Sequence, residues 1–219
     1  FDTTVDDFMV SKHLITQGQF VTFVEDGGYK MLKHWSPSGR QWLKQIKPSN
    51  PVYWKLQNGV WYRRLFDKWV ILEPNKPMVH VNFFEAQAYC NWAGGRLMTE
   101  SEWEYLATEG GETIRTPAYG GNLGLERFDI NSVDEEATTS WGVSNMIGNV
   151  WCWCDTIFYP YPDYNCDGVC PEDTLVKFGC EYVARGGSWA SSRLLLSKSF
   201  RQSFFPDARK NLTGFRIAR

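Results

Sequence analysis

The sequence predicts a mixed α+β domain of short elements joined by long irregular loops. Three observations predict it. Apolar residues follow helical spacing only in short stretches, each opened by a capping residue: Thr16, Asn82 and Thr99. Runs that read as strands are equally short, at residues 6–10, 60–65, 70–72, 150–154, 182–185 and 214–217. Between them lie stretches with no period, rich in Trp, Pro and Gly.

The elements follow in order. After the opening strand and Leu14-Ile15, Thr16 caps a helix whose Phe20, Phe23 and Val24 share a face, and Gly27-Gly28 ends it. Residues 29–58 carry no clean period, and Trp35, Trp42 and Trp54, with Trp61 beyond them, suggest a loop pinned by aromatic anchors. Strands are expected at 60–65 and 70–72. Asn82 with Glu85 three positions on reads as a capping box, followed by the stripe Phe84, Ala88, Tyr89 and Trp92, and Gly94-Gly95 closes the helix. Thr99 with Glu102 repeats the device for Trp103, Leu106 and Ala107, and Gly110-Gly111 closes it. Glu102 and Glu104 admit a paired-carboxylate reading, against which stand a cap and a solvated helix face.

Residues 112–140 read as one long loop, not a second domain. The strand at 150–154 leads into Phe158-Tyr159-Pro160-Tyr161-Pro162-Asp163-Tyr164. Its prolines exclude regular pairing and leave three tyrosines on a stiff loop, which loses little entropy on meeting a ligand. A strand at 182–185 breaks at Gly186-Gly187, and the last strand is expected at 214–217. Between them, with Arg185 at the near edge, stand Arg193, Arg201 and Arg209, suited to anchoring loops or to clamping a carboxylate.

A chain of 219 residues with 43% hydrophobic and 22% charged content is expected to form a single domain, residues 1–219, with a real core. Eleven tryptophans are several times the usual share. A formal net charge of −2 gives no electrostatic case for nucleic acid or an anionic membrane, and no apolar run matches a membrane span. The first residue is Phe1, so a segment of a longer protein is expected. Of six cysteines, Cys90 falls on the apolar side of a helix and reads as a buried thiol. Cys166, Cys170 and Cys180 are clustered, yet no histidine is near them to complete a metal clip. His13, His34 and His80 stand at no metal-ligand spacing, and His80 reads as structural.

Five motifs carry a resemblance. They are Leu14-Ile15-Thr16-Gln17-Gly18-Gln19-Phe20, the stretch from Arg96 to Glu104, Gly148-Asn149-Val150-Trp151, Arg185-Gly186-Gly187-Ser188-Trp189 and Gly214-Phe215-Arg216. Together and in this order they resemble the formylglycine-generating-enzyme/sulfatase-modifying-factor family, and the resemblance implies a variant of the C-type lectin-like fold. Formylglycine-generating enzymes proper hold copper with two cysteines after the Gly-Gly-Ser motif. Here Ser191 and Leu196 stand at those positions, so that chemistry lacks its thiolates.

A second branch resembles the chain more fully, the iron-dependent sulfoxide synthases of ergothioneine and ovothiol biosynthesis. The similar segments are residues 23–29, 61–64 and 77–86, and residues 159–162 and 204–209 look more like the ergothioneine side. The resemblance implies O2-dependent coupling of a thiol, cysteine or γ-glutamylcysteine, to histidine betaine or histidine. It also implies cytoplasmic location and Fe(II) held mainly by an upstream helical domain, outside this chain. By the family pattern a tyrosine handles a proton, with Tyr164 the first choice and Tyr161 the second. Substrate contacts are expected at Arg201, Gln202, Phe204 and Arg209, and Ala208 replaces an arginine that reads γ-glutamylcysteine. A structural calcium is implied near Gly148 and Val150, but Cys152 stands where a glutamate would hold it. Two other readings stay open: a lectin-like binding module without catalysis, and another protein-modifying member of the superfamily.

Overall fold

Side-chain caps set three of the helices. In the computed structural model, which describes residues 3–108, 121–135, 138–162, 164, 175–194, 196 and 199–219, α1 spans Gln17–Glu25, α3 Phe83–Trp92 and α4 Glu100–Ala107. Each begins with a reciprocal capping box, Thr16 with Gln19, Asn82 with Glu85 and Thr99 with Glu102. Gly110-Gly111, expected to close α4, lie outside the described residues, as do Cys166 and Cys170.

The stretch expected as a loop at 29–58 holds a further helix, α2 at Pro37–Ile46, after a short 3₁₀ turn at Leu32–His34. Ser36 caps α2 and Pro37 occupies its first position, where a missing N–H costs nothing. Its apolar face is little more than Trp42 and Leu43, too few residues to show a period. The aromatic anchors are real: Trp35, Trp42 and Trp54 are buried, and Trp35 and Trp42 stack at 5.8 Å.

The strands β1 (Trp54–Gln57), β2 (Val60–Leu65) and β3 (Lys68–Ile71) form an antiparallel meander. A second sheet has the order β7-β6-β5-β8, from β5 (Trp151–Ile157), β6 (Tyr182–Arg185), β7 (Gln202–Phe204) and β8 (Thr213–Gly214). All its pairs are antiparallel except β5 with β8. The pair β4 (Arg96–Leu97) and β9 (Ile217–Ala218) closes the set.

Two strand expectations change. Residues 6–10 pair only at Val10 with Ala218, supported by mutual backbone bonds of Met9 and Arg219. The single strand expected at 214–217 is split between β8 and β9. Phe215 and Arg216, neighbours in sequence, are both fully buried, which a regular strand with alternating faces does not allow when one face is open. The Arg216 guanidinium donates to the carbonyls of Ser11, Lys12 and Ser144, stitching the break to the N-terminal segment.

The core lies in two clusters. One gathers α1, α2 and α3 around Phe20, Phe23, Trp35 and Tyr89, with Phe20 stacked on Tyr89 at 5.4 Å. The other centres on Trp103, Met98, Val150 and Val183, between α4 and the second sheet. Gly186 turns β6 out of the sheet at φ +93°, where a Cβ would sit 2.5 Å from the Met146 carbonyl. No described helix is long and apolar enough to cross a membrane.

Candidate functional site

The N-terminus of α4 and the end of β6 meet at Glu100. Its carboxylate, 8% exposed, accepts from Arg185 Nη1 at 2.7 Å and from Arg201 Nε and Nη2 at 2.7 and 2.8 Å. The first turn of a helix favours a carboxylate, because the free N–H groups there carry partial positive charge. Arg185, with no exposed surface, also reaches Glu104 Oε2 at 2.9 Å and lies 4.8 Å over the Trp103 ring. Burial opposes its charge, but Glu100 and Glu104 hold its pKa above the ordinary guanidinium value. The paired-carboxylate reading of Glu102 and Glu104 does not survive. Glu104 belongs to Arg185, whereas Glu102 accepts from Arg96 at 2.8 and 2.5 Å and from the Thr99 N–H. Burial pushes Glu102 up, and the Arg96 and Thr99 hydrogen bonds outweigh it and hold the carboxyl low.

The tyrosine loop closes over this cluster. Arg201 Nη1 donates to the Tyr159 carbonyl at 2.9 Å, and its guanidinium lies 4.3 Å over the Tyr161 ring and 4.9 Å over Phe158. Burial first, then the Glu100 charge, raises the Tyr161 pKa, so its hydroxyl stays protonated. Tyr164 joins the loop through its N–H, which donates to the Tyr161 carbonyl at 3.2 Å. It is half exposed, and its ring meets Phe178 edge-on at 6.3 Å.

Arg201, Gln202 and Phe204 are neighbours in sequence but look to different faces. Ser203 points inward, its hydroxyl donating to Glu181 at 2.5 Å, so Gln202 and Phe204 share the opposite face of β7. Phe204 packs on Trp153 at 5.9 Å and on Trp151 at 6.5 Å, and Trp151 packs on Phe200 at 6.0 Å. The half-buried Gln202 amide on this aromatic shelf makes no hydrogen bond among the described residues. Arg209 serves a different place. It donates to Glu85 at 2.8 and 3.2 Å and to the Asn50 carbonyl, under Trp42. Glu85 is fully buried and also accepts from the Tyr29 hydroxyl at 2.5 Å. The structure thus joins Tyr161 to Arg201 and Gln202 to Phe204, and commits Arg209 to the α3 cap.

The sequence reading passed over Glu100. The available signal was arithmetic: Arg185 and Arg201, in a chain of ordinary charge, each needed a carboxylate, and α4 opens with three glutamates. At the positions where the resemblance implies copper cysteines, the Ser191 hydroxyl accepts from the Ser188 N–H at 3.0 Å, and Leu196 is buried.

Metal donors are sparse here. Among the described residues, no group of three or more His, Cys, Asp and Glu side chains is placed to hold a metal ion. Near Gly148, both amide atoms of Asn145 are buried without hydrogen-bond partners among the described residues. Cys152, however, is a thiol whose pKa burial pushes up to about 11, and it donates to the Trp153 carbonyl. A protonated sulfur is no ligand for calcium, whereas the Asn145 amide oxygen is a donor of the hard type that ion takes.

The model of the sulfatase-modifying factor enzyme 1-like domain matches residues 2–219. The chain belongs to this family. Its α+β architecture is the family's C-type lectin-like fold, and it superposes on the structure of PvdO from Pseudomonas aeruginosa with a TM-score of 0.62, at 20% identity, covering 97% of this chain and 80% of the other. The hercynine oxygenase of Mycobacterium tuberculosis is 31% identical over 230 residues, which is 98% of this chain and 53% of the relative. The formylglycine-generating enzyme of Thermomonospora curvata is 28% identical over 259 residues, 96% of this chain and 81% of the relative. The chain therefore spans about half the length of the hercynine oxygenases it matches.

Proposed function

We propose that this chain is the substrate-facing part of a non-haem iron, O2-dependent sulfoxide synthase. The observation that carries the reading is the similarity to hercynine oxygenases along 98% of the chain; it is supported by Ser191 and Leu196, neither a thiol, where the family resemblance implies copper cysteines. The reaction joins a thiol to a histidine-derived imidazole, with histidine betaine the preferred partner. One O2 is consumed: one oxygen atom stays on sulfur, and the other leaves as water with the thiol and imidazole hydrogens. Fe(II), held by a domain outside this chain, would supply the chemistry of O2.

The parts follow from geometry. The shelf of Trp151, Phe200 and Phe204 offers a flat apolar wall to an imidazole ring, and the Gln202 amide offers it a hydrogen bond. Tyr161, held protonated under Arg201, is a proton donor at the loop's edge, and its ring contact with the Arg201 guanidinium favours it over Tyr164. The Glu100 carboxylate fixes Arg201 and hence the loop. Ala208 carries no guanidinium for a second carboxylate, so cysteine is favoured over γ-glutamylcysteine as thiol donor.

The test uses the full-length protein with ferrous iron, O2, histidine betaine and each thiol in turn. The expected result is a coupled sulfoxide by mass spectrometry, with one O2 consumed per product and cysteine preferred. Iron-loaded full-length protein that couples neither thiol would sink the reading in favour of a binding module without catalysis.

A further inference from the structure

Three aromatic residues with left-handed backbone surround one cavity: Tyr53 at φ +66°, Phe66 at +52° and His80 at +62°. The two turns of the first sheet show how unusual this is. Asn58-Gly59, between β1 and β2, uses residue types that tolerate positive φ. Phe66, opening the two-residue turn between β2 and β3, occupies a position where glycine is the usual choice. Bulky side chains at positive φ persist only where the surroundings impose them, and such positions gather at ligand sites. Here the imposed conformations bring three rings to the same wall.

The cavity holds about 210 Å³, and an outer recess of about 250 Å³ is walled by Tyr53, Arg64, Phe66 and His80. Two residues that line the cavity carry a buried nitrogen without a hydrogen-bond partner among the described residues, His80 Nδ1 and Arg63 Nε. Arg63 is 5% exposed, and its Nη atoms are taken by Asp129 at 2.9 and 2.5 Å. Burial lowers the His80 pKa against the pull of the Asn211 and Lys210 backbone, so the ring is neutral. At the rim, Trp189 meets Phe66 and Phe128 edge-on at 6.3 Å. The Arg64 guanidinium lies 5.8 Å over Tyr53, and its Nε donates to the Phe66 carbonyl. Its Nη donors have no partner among the described residues. Arg63 and Lys76 are offset by Asp129 and Glu73, which leaves Arg64 as the uncompensated charge of this wall.

We infer that this cavity binds a small aromatic carboxylate carrying a second polar group, with its ring among Tyr53, Phe66 and Trp189. The carboxylate meets Arg64, and the second polar group reaches His80 Nδ1 and Arg63 Nε. None of Tyr161, Arg201, Gln202 and Phe204 lines this cavity, so the inference stands apart from the proposed synthase chemistry.

The probe is 4-hydroxybenzoate, titrated against the full-length protein by saturation-transfer NMR beside benzoate and 4-hydroxybenzyl alcohol. Saturable binding with a Kd below about 1 mM is expected. Arg64→Gln, at an exposed position, should weaken it about tenfold, and Lys44→Gln on α2 should leave it unchanged. Benzoate, lacking the hydroxyl, should bind about fivefold more weakly. No saturation by about 10 mM, or equal binding by wild type and Arg64→Gln, overturns the site. Equal binding of benzoate and 4-hydroxybenzoate overturns the inner polar contact.

Discussion

Arg185 and Arg201 donate to the same oxygen, Oε1 of Glu100, each at 2.7 Å. Two guanidiniums converging on one carboxylate tie the end of β6, the entry to β7 and the start of α4 into one unit. The carboxylate is their shared counter-charge, so its removal leaves Arg185 with Glu104 and takes both carboxylate contacts from Arg201.

Glu100→Gln keeps the volume and removes the charge. Arg185 is fully buried and Arg201 is mostly so, and breaking such an arrangement costs about 3–5 kcal/mol. The urea midpoint should fall accordingly with an unchanged m-value. A loss below about 1 kcal/mol would mean that the two arginines find other partners.

Arg209→Ala separates a structural role from a substrate role. Glu85 has no exposed surface and would keep only the Tyr29 hydroxyl and its cap to Asn82. The expected loss is about 3–5 kcal/mol in thermal or urea unfolding. Unchanged stability together with a raised KM would instead place Arg209 on substrate.

Alkaline pH should destabilise the fold. Burial raises the Cys152 pKa to about 11, and Cys90 and Cys154 also rise through burial. Thiols ionise near pH 8.5 in the unfolded chain, so ionisation favours unfolding above that value. Stability is therefore full below about pH 8.5 and declines as pH rises towards about 11. Tyr89, raised by burial to about 12, extends the decline. Urea midpoints at about pH 7, 9 and 10.5 should fall in that order, and a flat series would contradict the buried thiols.

Tyr161→Phe tests the proton role within the proposed synthase. The phenyl ring keeps its place under Arg201, while kcat on the iron-loaded full-length protein should fall about 100-fold. Tyr164→Phe should leave kcat within about threefold. The reverse pattern would return the role to Tyr164.

The short-range parts of the fold were legible because they rest on local chemistry. Thr16, Asn82 and Thr99 each satisfy free N–H groups within three residues, and a capping box can be read without knowing what surrounds it. Helix α2 was missed although Ser36-Pro37 signalled its start, because two buried apolar residues do not make a period. The split between β8 and β9 was invisible, since it depends on Arg216 reaching carbonyls at Ser11 and Lys12, about 200 residues earlier.

For the site, the sequence by itself determined the family motifs, the tyrosine-rich segment after β5 and the glycine turn after Arg185. Tertiary structure alone decided which arginine serves which carboxylate. Arg201 and Arg209 look alike in the sequence, yet one braces the tyrosine loop through Glu100 and the other braces α3 through Glu85. The reason is physical. A guanidinium reaches any carboxylate that folding brings within hydrogen-bond distance, and its partner here lies more than a hundred residues away along the chain. Likewise the cavity shared by Tyr53, Phe66 and His80 arises only when separate segments are packed against one another.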